Sequence, residues 1–312
     1  MNNAYGLIHD YYPREKMISI KLDDKLCFFY FPQKYYKIVH KAAAHRSVYI
    51  FFYYSEKTKV LKSVEAKEIT AIEKITHQSA KGSITLYSQE VIDENIENLL
   101  ESLDYKMFLD FEFTMPSYTI NKHFESELLQ IGAVISDKND VTVNEYSTYI
   151  NTKQKVSDRT KKFLRITDEE LSDKISQKQF YEEYKRLIEI YKPTIFVWGG
   201  SDTKVLDAFY SKNKLKPINA RYIDLVKLIK QHYSLKEDIG LFNALKIFNG
   251  IDATQAHHAL TDAAATKEVF DSFKKHILSK SDIDLKEIIK EMKESKMLNK
   301  EKEETIEKED EN

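Results

Sequence analysis

One run of seven residues, Met107-Phe108-Leu109-Asp110-Phe111-Glu112-Phe113, constrains the fold more than any other part of the chain. Five of them are apolar and two are acids. The apolar setting reads as a buried strand. Successive strand side chains point to opposite faces, so Asp110 and Glu112 share one. Two carboxylates side by side in apolar surroundings repel each other and lose hydration, which folding tolerates if a cation neutralises them. The competing reading is an edge strand with both acids in water, and an Asp-x-Glu pattern alone does not separate the two.

Length and composition set the frame. The 312 residues have room for one large domain or two ordinary ones. A hydrophobic share of 42% supports a packed core. The net charge of −2 gives no overall positive field, so any nucleic-acid contact must come from local patches. Cys27 is the single cysteine, which excludes an intrachain disulfide and a cysteine-based zinc cluster and fits a reducing compartment. No N-terminal stretch has the form of a signal peptide. Apolar runs such as Val48 to Tyr54 are far short of the roughly 20 residues of a membrane span. A cytoplasmic protein without membrane contact is expected. No Gly-rich phosphate loop or G-x-S-x-G elbow is present.

Residues 1–75 read as β-rich, with short strands expected at Tyr5–Ile8, Met17–Leu22, Leu26–Phe31, Ser47–Tyr54 and Val60–Val64. Their close spacing suggests a small barrel or sandwich, and an accessory domain of oligonucleotide-binding (OB) type is one form it would take. Aromatic residues are dense here, with Lys34, Lys37, Lys41, His45 and Arg46 among them. They either fill the barrel or stack nucleic-acid bases. Residues 76–105 read as a connector, with an amphipathic helix over Val91–Leu103.

Residues 106–278 read as an α/β domain. Strands are expected at Met107–Phe113, Leu128–Ile135 and Val141–Ile150. Thr167-Asp168-Glu169-Glu170 has the form of a capping box, and Phe180, Tyr184, Leu187 and Tyr191 recur at helical spacing up to Pro193. Strand-to-helix units follow at Thr194–Trp198 and Arg221–Asp224. A helix is expected from Asp238 to Phe248, closed by Asn249-Gly250, and another from Ala259 to His276. Hairpin-like strands followed by strand–helix repeats indicate a mixed sheet flanked by helices. Residues 279–312 are mostly Lys and Glu. Ile283, Leu285, Ile288, Ile289 and Met292 would extend a helix, and a solvated tail is expected beyond about Asn299.

Two further stretches carry acids and imidazoles. Asp202 follows Trp198-Gly199-Gly200-Ser201, where a buried strand turns into a helix, and binding crevices of open α/β sheets form at such strand ends. It reads equally as an acid favoured by a helix N-terminus. In His257-His258-Ala259-Leu260-Thr261-Asp262-Ala263 the small alanines let a helix approach the sheet and bring Asp262 to the Asp110 and Glu112 face, or serve capping and packing alone.

Together these motifs, in this order over about residues 106–278, resemble the DEDDh family of 3′→5′ exonucleases, in its KapD and Eri-1 branch. Asp110-Phe111-Glu112-Phe113-Thr114-Met115 is similar to the branch's first motif, Val156 through Thr167 to a loop that follows it, and Trp198 to Asp202 to its second motif. The resemblance implies a ribonuclease-H-like mixed sheet flanked by helices, preceded here by the β-rich, barrel-like domain. It implies that Asp110, Glu112, Asp202 and Asp262 hold two divalent cations, Mg²⁺ or Mn²⁺. His257, five residues before Asp262, would be the general base, and His258 a neighbour. Phe113, Thr114 and Met115 would contact the 3′-terminal nucleotide. Gln130 departs from the family, in which many members have Glu. The implied partner is a single-stranded nucleic acid with a free 3′ end, RNA in preference to short DNA, hydrolysed to nucleoside 5′-monophosphates. A protein partner on the N-terminal domain or the charged tail is also open. The alternatives are a non-catalytic nucleic-acid-binding module and a protein-interaction scaffold.

Overall fold

The computed structural model describes residues 2–80, 82–117, 124–253, 257–281, 284, 285, 287–291 and 294. The chain divides into two compact units, Met1–Ile96 and Glu97–Asn312.

The first unit is a β-barrel. Strands β1 (Asn2–Tyr12), β2 (Met17–Leu22) and β3 (Lys25–Tyr30) are followed by helix α1 (Tyr36–Ala43), then β4 (Arg46–Leu61), β5 (Val64–Ser79) and β6 (Gly82–Tyr87). β1 pairs with both β2 and β4, and a parallel pairing of β3 with β5 closes the ring of five strands. β6 extends β5 as a hairpin. Ile18, Ile20, Phe29, Ile50, Phe52, Ile69, Ile72 and Ile75 fill the interior, with Val39 and Ala42 of α1 packed into the same core. Alternation along β4 decides which aromatics go inside: Phe52 is buried, whereas Tyr49, Phe51 and Tyr53 face the other way.

Two expectations fail here. Val60–Val64 is not one strand, because Lys62 and Ser63 both take left-handed backbone angles and reverse the chain between two 16-residue strands. Lys-Ser lacks the Asn or Gly that usually signals such a turn. Strand β5 also runs on to Ser79 and β6 follows, so paired strand occupies the first part of the segment expected as a connector. Helix α2 (Gln89–Ser102) then leads to the second unit.

The second unit is a six-stranded mixed sheet in the order β10-β9-β8-β7-β11-β12. Its members are β7 (Lys106–Phe113), β8 (Leu128–Ser136), β9 (Thr142–Ile150), β10 (Lys174–Ile175), β11 (Thr194–Val197) and β12 (Arg221–Asp224). The helices are α3 (Asp158–Leu164), α4 (Gln177–Tyr191), α5 (Ser201–Lys212), α6 (Leu225–Tyr233), α7 (Leu241–Asn249) and α8 (Ala259–Leu278). β7 is central, antiparallel to β8 and parallel to β11. Its Met107, Leu109 and Phe111 join Phe180 and Tyr184 of α4 and Phe209 of α5 in one core on one face. The alternate residue Phe108 meets Phe270 of α8, ring centroids 5.1 Å apart, on the other. The capping box forms, since the Thr167 N–H donates to Glu170 and the Glu170 N–H to the Thr167 hydroxyl, but it opens only a short 3₁₀ turn. Ser176 caps α4 instead. Of the charged C-terminal stretch, Ile283, Met292 and residues 295–312 lie outside the described residues. Among the described residues no helix is long and apolar enough to cross a membrane.

Candidate active site

The site is built where β7 outruns its parallel neighbour. β11 ends at Val197 opposite Leu109, which leaves Asp110 to Phe113 without a strand on that side. The chain turns at Gly199, whose φ of +91° suits glycine, and enters α5. The Asp202 carboxylate then takes the missing strand's place, accepting the Phe111 N–H at 3.1 Å. Asp202 is buried in the first turn of α5.

On the opposite side of β7, Asp110 pairs with Gly132 and Glu112 with Gln130. Directly opposed residues share a face, so these four look toward α8, which packs across β7 and β8. Gly132 permits that approach, since a Cβ there would lie 2.0 Å from the Ala259 carbonyl carbon. Gln130 locks the start of the helix: its Oε1 accepts the Ala259 N–H at 3.2 Å and its Nε2 meets His258 Nε2 at 2.9 Å. Asp262, one turn into α8, is thereby brought over the strand and is buried.

Electrostatics record the convergence. Burial raises the Asp110 carboxyl well above the usual range, and Asp202, Glu112 and Asp262 raise it further. Burial, then Asp262 and Asp202, push Glu112 up to about 8. Burial raises Asp202 to about 6, with the Phe111 N–H pulling in the opposite direction. Acids gathered where Asp110 and Glu112 are held protonated by burial and by the charges of their neighbours are a costly arrangement for a protein alone, and one that cations relieve. The donors suit such ions. Carboxylate oxygens are hard ligands for Mg²⁺ or Mn²⁺. One ligand atom each from Glu112, His257 and Asp262 lies within 4.8 Å of the others.

The structure therefore brings together Asp110, Glu112, Asp202 and Asp262, with His257 beside them. His257 has left-handed backbone angles, and its ring lies against Phe163 of α3, centroids 4.2 Å apart. His258 instead turns into the protein toward Gln130. The three residues expected to touch substrate sit differently from one another. Phe113 packs against the core. Thr114 is buried, and its hydroxyl accepts the Glu127 N–H at 2.9 Å. Met115 is half-buried, its N–H donating to Thr160 and its carbonyl accepting from Ser157, the N-cap of α3. Two neighbours of the site were not anticipated as part of it, Phe163, exposed although aromatic, and Gly132, whereas Gln130 was marked by its departure from the family. The period-two spacing of Gln130-x-Gly132 opposite Glu112 and Asp110 was the available signal.

A mixed sheet with helices on both faces and acids gathered at the end of its central strand is the arrangement of an exonuclease. The family model described as Exonuclease (RNase_T) matches residues 107–270, and the chain belongs to that family. The probable 3′-5′ exonuclease KapD of Bacillus subtilis (strain 168) is 29% identical over 169 residues, 53% of this chain and 82% of that protein. Among solved structures, the nuclease domain of 3′hExo bound to rAMP aligns with 18% identity and a TM-score of 0.48, covering 57% of this chain and 94% of that one. A 3′-exonuclease that recognises the histone mRNA stem-loop aligns with 16% identity and a TM-score of 0.47, covering 56% and 64%.

Proposed function

We propose that this 3′→5′ exonuclease shortens single-stranded RNA, and short DNA less readily, releasing nucleoside 5′-monophosphates in a reaction that depends on two bound Mg²⁺ or Mn²⁺ ions. The observation that carries the reading is the convergence of Asp110, Glu112, Asp202 and Asp262 on one buried point. In this reading those four carboxylates hold the ions. When bound, such ions neutralise charge on the phosphodiester and make a water nucleophilic at neutral pH. His257 takes the proton of the attacking water, the role its place beside Glu112 and Asp262 supports. Phe113, Thr114 and Met115 line the terminal nucleotide. With the Thr114 hydroxyl committed to Glu127, contact from that residue would come from its backbone. RNA is preferred because the first motif resembles that of the Eri-1 branch, and discrimination would rest on contacts to the 2′-hydroxyl. The single cysteine fits a cytoplasmic location.

The test uses RNA and DNA strands labelled at the 3′ or the 5′ end, with Mg²⁺, Mn²⁺ or EDTA. Expected is metal-dependent loss of the 3′ label and stepwise shortening of the 5′-labelled RNA. Tight binding without cleavage would make the protein a non-catalytic module on the same fold.

A further inference from the structure

The barrel interior is complete without Tyr49, Phe51 and Tyr53, yet these three aromatics sit on one strand. Cross-strand register shows what they share. One outward row runs Tyr5–Phe51–Lys74–Tyr87 across β1, β4, β5 and β6, and the next runs Leu7–Tyr49–Thr76–Thr85. Tyr53 lies beside them, opposite Asn3. Tyr5 is 58% exposed, Tyr87 47% and Tyr49 38%. Tyr5 and Tyr49 stack with centroids 5.7 Å apart and planes 19° apart, and Phe51 meets Tyr53 edge-on at 5.6 Å. Five aromatic rings on the solvent side of a filled barrel form a patch of the kind that marks a binding surface.

Charge identifies the occupant. Residues 1–88 carry 14 Lys and Arg against 8 Asp and Glu, whereas residues 89–312 carry 34 against 42. A chain of net charge −2 thus confines its excess of positive charge to the barrel. Lys74 stands in the middle of the aromatic row, and the nearby acid Glu73 is engaged by the Tyr53 hydroxyl at 3.4 Å. Flat rings on a positively charged barrel suit a polyanion with exposed flat bases. We propose that the outward face of β1, β4, β5 and β6 is a second nucleic-acid site, which holds single strands by stacking bases on Tyr5, Tyr49 and Tyr87 around Lys74. The ring order β1-β2-β3-β5-β4, with α1 between β3 and β4, resembles that of oligonucleotide-binding (OB) barrels. Such barrels usually bind on strands 2 and 3. Here Met17 and Ser19 of β2 are fully buried, and the exposed rings lie on β1, β4 and β6.

The inference rests on the proposed function only for the class of ligand. The test uses the full chain and fluorescent 20-nucleotide oligoadenylate in EDTA, where the catalytic site lacks the cations that would hold phosphate. The Tyr5→Ala/Tyr49→Ala double variant should weaken binding at least about tenfold, since each stacked base contributes roughly 1–3 kcal/mol. The single variant Lys74→Glu, a charge change at a half-buried position that spares the rings, should weaken it in the same direction. Both should cleave the dinucleotide ApA in Mn²⁺ within about twofold of the wild type, which also shows that they fold. Unchanged affinity for the 20-mer in both variants would overturn the proposal. So would a wild-type dimer that the double variant dissolves without loss of strand binding, because the rings would then serve self-association. Failure of the wild type to cleave any strand would sink the exonuclease reading and leave the binding measurement standing.

Discussion

At the residue scale the carboxylates make a prediction before any metal is added. Glu112 titrates at about 8 in the fold and Asp202 at about 6, both far above the range of an unfolded chain. An acid whose folded pKa is raised binds more protons in the native state than in the unfolded one between the two values. Stability therefore falls as pH rises through that window and levels off above it. The metal-free protein should melt progressively lower between about pH 5 and pH 8, and saturating Mn²⁺ should restore the loss. At pH 7 ion binding should also release protons, detectable by calorimetry in buffers of different ionisation heat; a heat independent of buffer would contradict the shared carboxylate site. The same reasoning separates stability from function in Glu112→Gln. In EDTA at pH 8 that variant should melt higher than the wild type, because a repelling charge is gone, while its turnover falls on the order of a thousandfold with the lost ligand. His257→Ala should lower kcat by about 10²- to 10⁴-fold, the usual worth of a general base, and keep Mn²⁺ affinity within a few-fold. Greater damage from His258→Ala would move the base to that residue, against its hydrogen-bonding position next to Gln130.

At the element scale, the catalytic geometry depends on how closely α8 lies on β8. A methyl group at position 132 would meet helix backbone, which cannot rotate away as a side chain can. Gly132→Ala should cost about 3 kcal/mol, the upper end for overpacking, and should lower kcat as Asp262 shifts. Thermal melts and Mn²⁺ titration together would check this, and an Asp262 site of unchanged affinity would show that α8 can move without consequence. A separate tie holds the far end of the same elements. Lys106 at the start of β7 is fully buried, pairs with Asp140 at 2.9 Å and donates to the Asp104 carbonyl, while Lys274 of α8 reaches Asp140 at 2.8 Å. Asp140→Ala would strand the Lys106 charge in the interior, and about 3 kcal/mol of stability should be lost with kcat unchanged at a permissive temperature. Local chemistry explains which elements could be read in advance. Apolar periodicity marked α2 and α4, and the continuous apolar run marked β7. Strand β5 was hidden because Glu65, Lys67, Glu68, Glu73 and Lys74 interrupt it, and α1 because it follows an aromatic strand without an N-cap side chain.

At the scale of the whole molecule, the candidate site was legible because four motifs in a fixed order constrain one another, although each alone has a simpler explanation. What the order could not show is contact: that the Phe111 N–H fixes Asp202, or that Gln130 and not a carboxylate receives His258. Nor could it show the division of charge, since the net value of −2 conceals a positive barrel joined to a more acidic remainder. That division has a measurable consequence. Each phosphate contact formed by a cation on a single strand contributes about −0.7 to the slope of log affinity against log salt. Long strands that engage the barrel as well as the catalytic site should therefore lose kcat/KM steeply between 50 and 200 mM salt, whereas a dinucleotide, with a single phosphodiester, should respond weakly. Lys74→Glu should flatten the long-strand slope by about 0.7, the change expected for loss of one phosphate contact on a single strand. If both substrates showed the same slope, strand capture would reside in the catalytic unit alone and the positive charge of the barrel would serve some other purpose.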